Sequence, residues 1–88
     1  MTATDVERLL VSILDEVLSL NGRAAGFRRD TPLLGALPEL DSMAVVALIT
    51  SVEERMGIVM NDDEIDGSTF ATLGSLADYV GAKLADTA

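Results

Sequence analysis

The stretch that decides the fold runs Leu40-Asp41-Ser42-Met43-Ala44-Val45-Val46-Ala47-Leu48-Ile49-Thr50-Ser51-Val52-Glu53-Glu54-Arg55-Met56-Gly57. Asp41 carries the short acceptor side chain of a helix N-cap, no Gly or Pro interrupts the residues that follow, and Gly57 is a natural stop. A helix is therefore predicted from Asp41 to Met56. At about 100° per residue, Val45, Ile49, Val52 and Met56 form the stripe expected to face the core, flanked by Val46 and Leu48. Met43, Ala47, Thr50 and Glu54 then fall on the opposite face.

Upstream, Thr4 and Glu7 have capping-box spacing, and Val6, Leu9, Leu10, Ile13, Leu14 and Val17 recur at threes and fours. This predicts a first helix ending near Asn21-Gly22. From Gly22 to Leu40 the chain is punctuated by Gly26, Pro32, Gly35 and Pro38, which reads as a long loop anchored by Phe27, Leu33, Leu34, Leu37 and Leu40. Downstream, Asn61-Asp62-Asp63-Glu64-Ile65 suggests a short capped helical turn before Gly67. Thr72 is placed to cap a last helix with the apolar stripe Leu73, Leu76, Ala77, Val80 and Leu84, and Ala85 to Ala88 are expected to fray. No segment alternates over strand length. The expected class is all-α, a small four-helix bundle of three main helices plus a short third one, with a long loop between helices 1 and 2.

At 88 residues the chain fits one domain, and 49% apolar with 24% charged residues is globular composition. The absence of Cys and His removes disulfides, thiol nucleophiles, imidazole bases and the usual soft metal ligands. No catalytic residue and no metal site is assigned. Fifteen acids against six bases give a net charge of −9, which disfavours phosphate backbones and anionic membranes, so no nucleic acid partner is expected. The longest mostly apolar run, Met43 to Ile49, is far too short to span a bilayer, and the start lacks a basic signal-peptide segment. These features lead us to expect a cytoplasmic protein without membrane insertion.

Three motifs fail on inspection. Asp62, Glu64, Asp66 and Gly67 match the opening positions of an EF-hand loop, but the residue that should be its bidentate Glu is Leu73. Ser75, in Leu73-Gly74-Ser75-Leu76, has half of a nucleophile elbow and no His to serve as its base. Arg23, Arg28 and Arg29 form a small basic spot that reads as a solubility feature or as intramolecular partners for acids elsewhere, and no site is assigned to them. Ser42 differs, because a phosphate ester there would sit beside the free N–H groups and positive dipole end of a long helix. Taken alone, Asp-Ser before a helix is also an everyday cap.

The combination resembles the acyl carrier protein family. Thr31-Pro32-Leu33-Leu34-Gly35, then Leu40-Asp41-Ser42-Met43, Val45-Val46 and Leu48-Ile49 resemble that family's Leu-Gly followed by its Asp-Ser-Leu entry into the second helix. Glu53-Glu54-Arg55-Met56-Gly57-Ile58, Asp62-Asp63-Glu64-Ile65 and Phe70-Ala71-Thr72-Leu73-Gly74-Ser75-Leu76-Ala77-Asp78-Tyr79-Val80 resemble its acidic helix end, short third helix and last helix. The resemblance spans 1–88 as a single acyl-carrier-like domain. It implies a carrier rather than an enzyme, with 4′-phosphopantetheine attached to Ser42 by a separate phosphopantetheinyl transferase. Acyl groups would ride on the arm's thiol as thioesters between acyl-loading and acyl-transferring enzymes of lipid, polyketide or related biosynthesis. Asp41 would cap the helix and orient the modifying enzyme. The partner face would comprise Met43, Ala47, Thr50, Glu53 and Glu54.

The chain departs from the family where Ala44 and Ala47 stand at commonly acidic positions and Met43 replaces the usual Leu. Docking is therefore expected to depend less on charge near the arm, and the departures suggest a specialised bacterial member. Two alternatives stay open: an aminoacyl or peptidyl carrier, and an unmodified acidic helical adaptor. Pro38-Glu39-Leu40 in place of Gly-Gly ahead of the serine weighs against the first. A monomer is expected, since the exposed faces are no more apolar than docking requires.

Overall fold

The computed structural model describes residues 2–87, which hold α1 (Ala3–Val17), α2 (Ser42–Met56) and α3 (Leu73–Thr87). Between them lie two 3-10 turns, Arg23–Gly26 and Asp62–Glu64. α1 packs against both α2 and α3. Val6, Leu10, Ile13 and Leu14 of α1 meet Leu48, Val52 and Met56 of α2 and Leu73, Leu76, Ala77 and Val80 of α3 in one buried cluster. Fully burying each such Leu, Ile or Val contributes about 1.5–3 kcal/mol, which is how three short helices are held together. Leu18, Leu20, Leu33, Leu40, Ile58, Met60 and Phe70 from the connections complete the cluster.

The ends of α1 differ from expectation. Thr2, not Thr4, is the N-cap, forming a capping box in which Thr2 Oγ1 accepts the Asp5 N–H at 3.1 Å and Asp5 Oδ2 accepts the Thr2 N–H at 3.2 Å. Thr2/Asp5 has the same spacing as Thr4/Glu7, and starting earlier adds a half-turn of helix. α1 also stops at Val17, short of Asn21, because Ser19 and Asn21 take left-handed φ values of 54° and 55°. That turn lets Leu18 and Leu20 both reach the core, and the Asp15 carboxylate holds it by accepting the N–H groups of Gly22 at 3.0 Å and Ala24 at 3.2 Å.

The connection to α2 is bound to the start of α3 along much of its length. Leu33 and Leu34 donate to the carbonyls of Ala71 and Phe70, while Leu73 and Gly74 donate to those of Thr31 and Arg29. Two first-turn N–H groups of α3 are thus satisfied by this connection, and the Ser75 N–H by Thr72 Oγ1, as the predicted cap requires. An isolated antiparallel bridge, Pro32 to Thr72, is the one sheet-like pairing among the described residues. Arg29 reinforces the junction by donating to Glu7 of α1 at 2.9 Å and Asp78 of α3 at 2.8 Å. Leu33 and Leu40 are buried as expected, Phe27 and Leu37 partly so, whereas Leu34 stays exposed.

Two further expectations need correction. The short third helix is a single 3-10 turn, so the described residues hold three α-helices. α3 remains helical through Thr87 instead of fraying from Ala85, and Ala88 lies outside the described residues.

Candidate functional site

The site begins where buried Leu40 fixes the chain and Asp41 starts α2. Asp41 is extended (φ −99°, ψ −175°), and its Oδ1 accepts the Ala44 N–H at 2.8 Å while its carbonyl accepts the Val45 N–H at 2.9 Å. The predicted N-cap is therefore present, and Gly57 (φ 67°) closes the helix with a left-handed residue. Just upstream, Glu39 is ion-paired with Arg23, which holds its carboxyl below the usual range.

Ser42 is exposed, and its hydroxyl has no hydrogen-bond partner among the described residues. The N–H groups of Ser42 and Met43 likewise lack protein acceptors there, since Asp41 serves that of Ala44. A phosphate at this end of α2 would meet unsatisfied donors and the positive end of the helix dipole, a favourable interaction of about 0.3–1 kcal/mol at an exposed position. The sequence offers no imidazole or thiol to activate the hydroxyl. Such a serine is suited to receiving a group inside another enzyme's active site.

The outer face of α2 runs on from this serine. Met43 is 81% exposed, and Ala47, Thr50 and Glu54 are exposed beside it, as the helical spacing predicts. Thr50 Oγ1 donates to the Val46 carbonyl at 3.1 Å, so its hydroxyl presents no unmet donor. Glu53 sits apart, half-buried, with Oε2 accepting the Met60 N–H at 2.8 Å across the turn that follows α2. Asp41, Ser42, Met43, Ala47, Thr50 and Glu54 are thus brought onto one surface, and Glu53 is drawn toward the Ile58–Met60 segment.

The expected core stripe is rotated. Leu48, Val52 and Met56 are the buried residues of α2, while Val45 and Ile49 are only partly covered. Val46, expected at the flank of the core, is 63% exposed and belongs to the outer face. The buried arc centres on Val52, and Val46 lies about 120° around the helix from it. The sequence carried the signal, because Val46 stands three residues after Met43 and four before Thr50.

Residues 8–80 match the family model described as phosphopantetheine attachment site. The chain also superimposes on the solution NMR structure of a holo acyl carrier protein from Nitrosomonas europaea, with a TM-score of 0.85 and 48% identity over 91% of this chain and 95% of that one. No curated protein matches the chain significantly.

Proposed function

Since the chain belongs to the acyl carrier protein family and is a carrier, not a catalyst, we propose that Ser42 is the residue that bears its covalent 4′-phosphopantetheine. The observation that carries this assignment is an exposed serine hydroxyl at the start of α2, next to two N–H groups, all three without hydrogen-bond partners among the described residues. The arm supplies the thiol on which acyl groups are held as thioesters. Asp41 fixes the first turn so that Ser42 is presented in one orientation to the transferase. Absence of Cys leaves no side-chain thiol to compete for the acyl group.

The outer residues Met43, Ala47, Thr50 and Glu54 form the face offered to acyl-loading and acyl-transferring enzymes, with Glu53 at its margin. Uncharged Ala44 and Ala47 favour a dedicated lipid, polyketide or related pathway over bulk fatty acid synthesis. Among the described residues no helix is long and apolar enough to cross a membrane, and together with the charge of −9 this fits a monomeric carrier working in the cytoplasm. The test is Ser42→Ala. This variant should keep the wild-type circular dichroism spectrum, lose no more than about 1 kcal/mol of stability, and accept no phosphopantetheine. Modification of the Ser42→Ala protein would place the attachment elsewhere.

A further inference from the structure

Resting on the assignment of Ser42, we propose that Arg23 and Glu39 are positioning residues for attachment of the arm: their ion pair latches the segment ahead of Ser42 to the end of α1. Between Gly35 and Asp41 the chain is held in two ways. Leu40 is buried and Leu37 partly so, but apolar contact is non-directional and does not by itself fix the path of the backbone into α2. The polar contacts of this segment are local, running among residues 33–45, with one exception among the described residues. Glu39 Oε2 accepts a hydrogen bond from the Arg23 guanidinium.

Arg23 is itself tied down. Its backbone N–H and its Nε both donate to the carbonyl of buried Leu20 at 3.1 Å, and the Asp15 carboxylate of α1 holds its neighbours Gly22 and Ala24. A continuous line of contacts thus runs from α1 through Arg23 to Glu39, three residues before Ser42. Glu39 Oε1 is buried with no hydrogen-bond partner among the described residues, so the carboxylate relies on Arg23 to offset the water it has given up. Without Arg23 it regains that water by swinging outward, and the backbone at Leu40 and Asp41 follows. An exposed pair shifts such an equilibrium by no more than about fivefold. Its loss lowers the fraction of chains that present Ser42 correctly, which raises the apparent KM for the carrier and leaves kcat at saturation unchanged.

The test varies the unmodified protein as substrate of a broad-specificity phosphopantetheinyl transferase, with coenzyme A and magnesium saturating. Arg23→Gln should raise KM by about twofold or more without lowering kcat. Arg8→Gln makes the same change of charge at a residue of α1 with no ion pair among the described residues, and should leave KM unchanged. Adding Glu39→Gln to Arg23→Gln should raise KM no further, because the two residues act through one another. Hydrogen exchange reads the latch without the transferase: in Arg23→Gln the Leu40 amide, which donates to the Leu37 carbonyl, should exchange faster, and the Ile13 amide of α1 should not. A KM for Arg23→Gln less than about twofold above wild type, an equal rise in Arg8→Gln, or a double variant whose KM is the product of the two single effects would overturn the proposal. So would Leu40 exchange unchanged from wild type. Peptide mapping of the wild-type product separates the two readings. Addition at Ser42 with an unchanged KM in Arg23→Gln defeats only the latch, whereas no addition beside an active control defeats the attachment assignment and the latch's role with it.

Discussion

Gly74 occupies a place that a Cβ does not fit. The atom added by alanine would lie 2.8 Å from the Arg29 carbonyl oxygen, the acceptor of Gly74's own N–H, so the junction between the first connection and α3 would have to shift. Such overpacking costs about 1–3 kcal/mol, against a gain of at most about 1 kcal/mol in helix propensity. Gly81, in the same helix, has nothing within 4 Å of the corresponding position. We therefore expect Gly74→Ala to lower the urea midpoint and Gly81→Ala to raise it. Equal shifts for the two variants would contradict this reading of the junction. At this scale the sequence was legible where the interaction is local: Asp41 caps a residue three positions away, and spacing alone finds it. It misled where two local solutions compete, as at Thr2/Asp5 and Thr4/Glu7. The collision at Gly74 joins residues 45 positions apart, 74 − 29, and no local pattern records it.

The elements are tied together by polar contacts at their edges. The Asp62–Glu64 turn is held on α3 by Glu64, which accepts from Asn61 Nδ2 at 3.0 Å and Tyr79 OH at 3.2 Å and pairs with Lys83. The Lys83 and Asn61 contacts hold the Glu64 carboxyl below its usual range. A carboxyl depressed in the folded state stabilises above its unfolded value, and that contribution is lost as pH falls through its folded value. The melting-temperature difference between wild type and Glu64→Gln should be full above about pH 5 and close as pH falls below about 4. A gap that is constant from pH 7 to pH 3 would show that the Glu64 charge contributes nothing to this attachment. The existence and caps of α2 and α3 could be read from the sequence because periodicity and capping residues agree. The turn at Asp62–Glu64 looked helical for its acids and its Gly67 stop, but a single turn has too few residues for periodicity to separate α from 3-10. The rotation of α2 toward Leu48 was missed because a chain with Val45, Val46, Leu48 and Ile49 in succession is apolar over a wide arc. Packing against α1 then selected which part of the arc is buried.

Across the whole molecule, α1 is the common partner of α2 and α3, and Arg29 bridges α1 and α3 from the connection that also covers the start of α3. This arrangement fixes the residues before Asp41, so Ser42 is presented on a braced helix end. The all-α class followed from helix spacing, and the carrier family from the resemblance of the Asp41-Ser42 entry and its flanking motifs to known carriers. The bracing did not, because it depends on contacts between residues tens of positions apart, such as Arg29 with Asp78. The central claim is that this braced end exists to carry a prosthetic arm. It is tested most directly by intact mass and peptide mapping of the pure protein after incubation with coenzyme A, magnesium and a broad-specificity phosphopantetheinyl transferase. The account predicts one added phosphopantetheine, located on the peptide containing Ser42. No addition to the folded protein beside an active control, or addition on a different peptide, would contradict it.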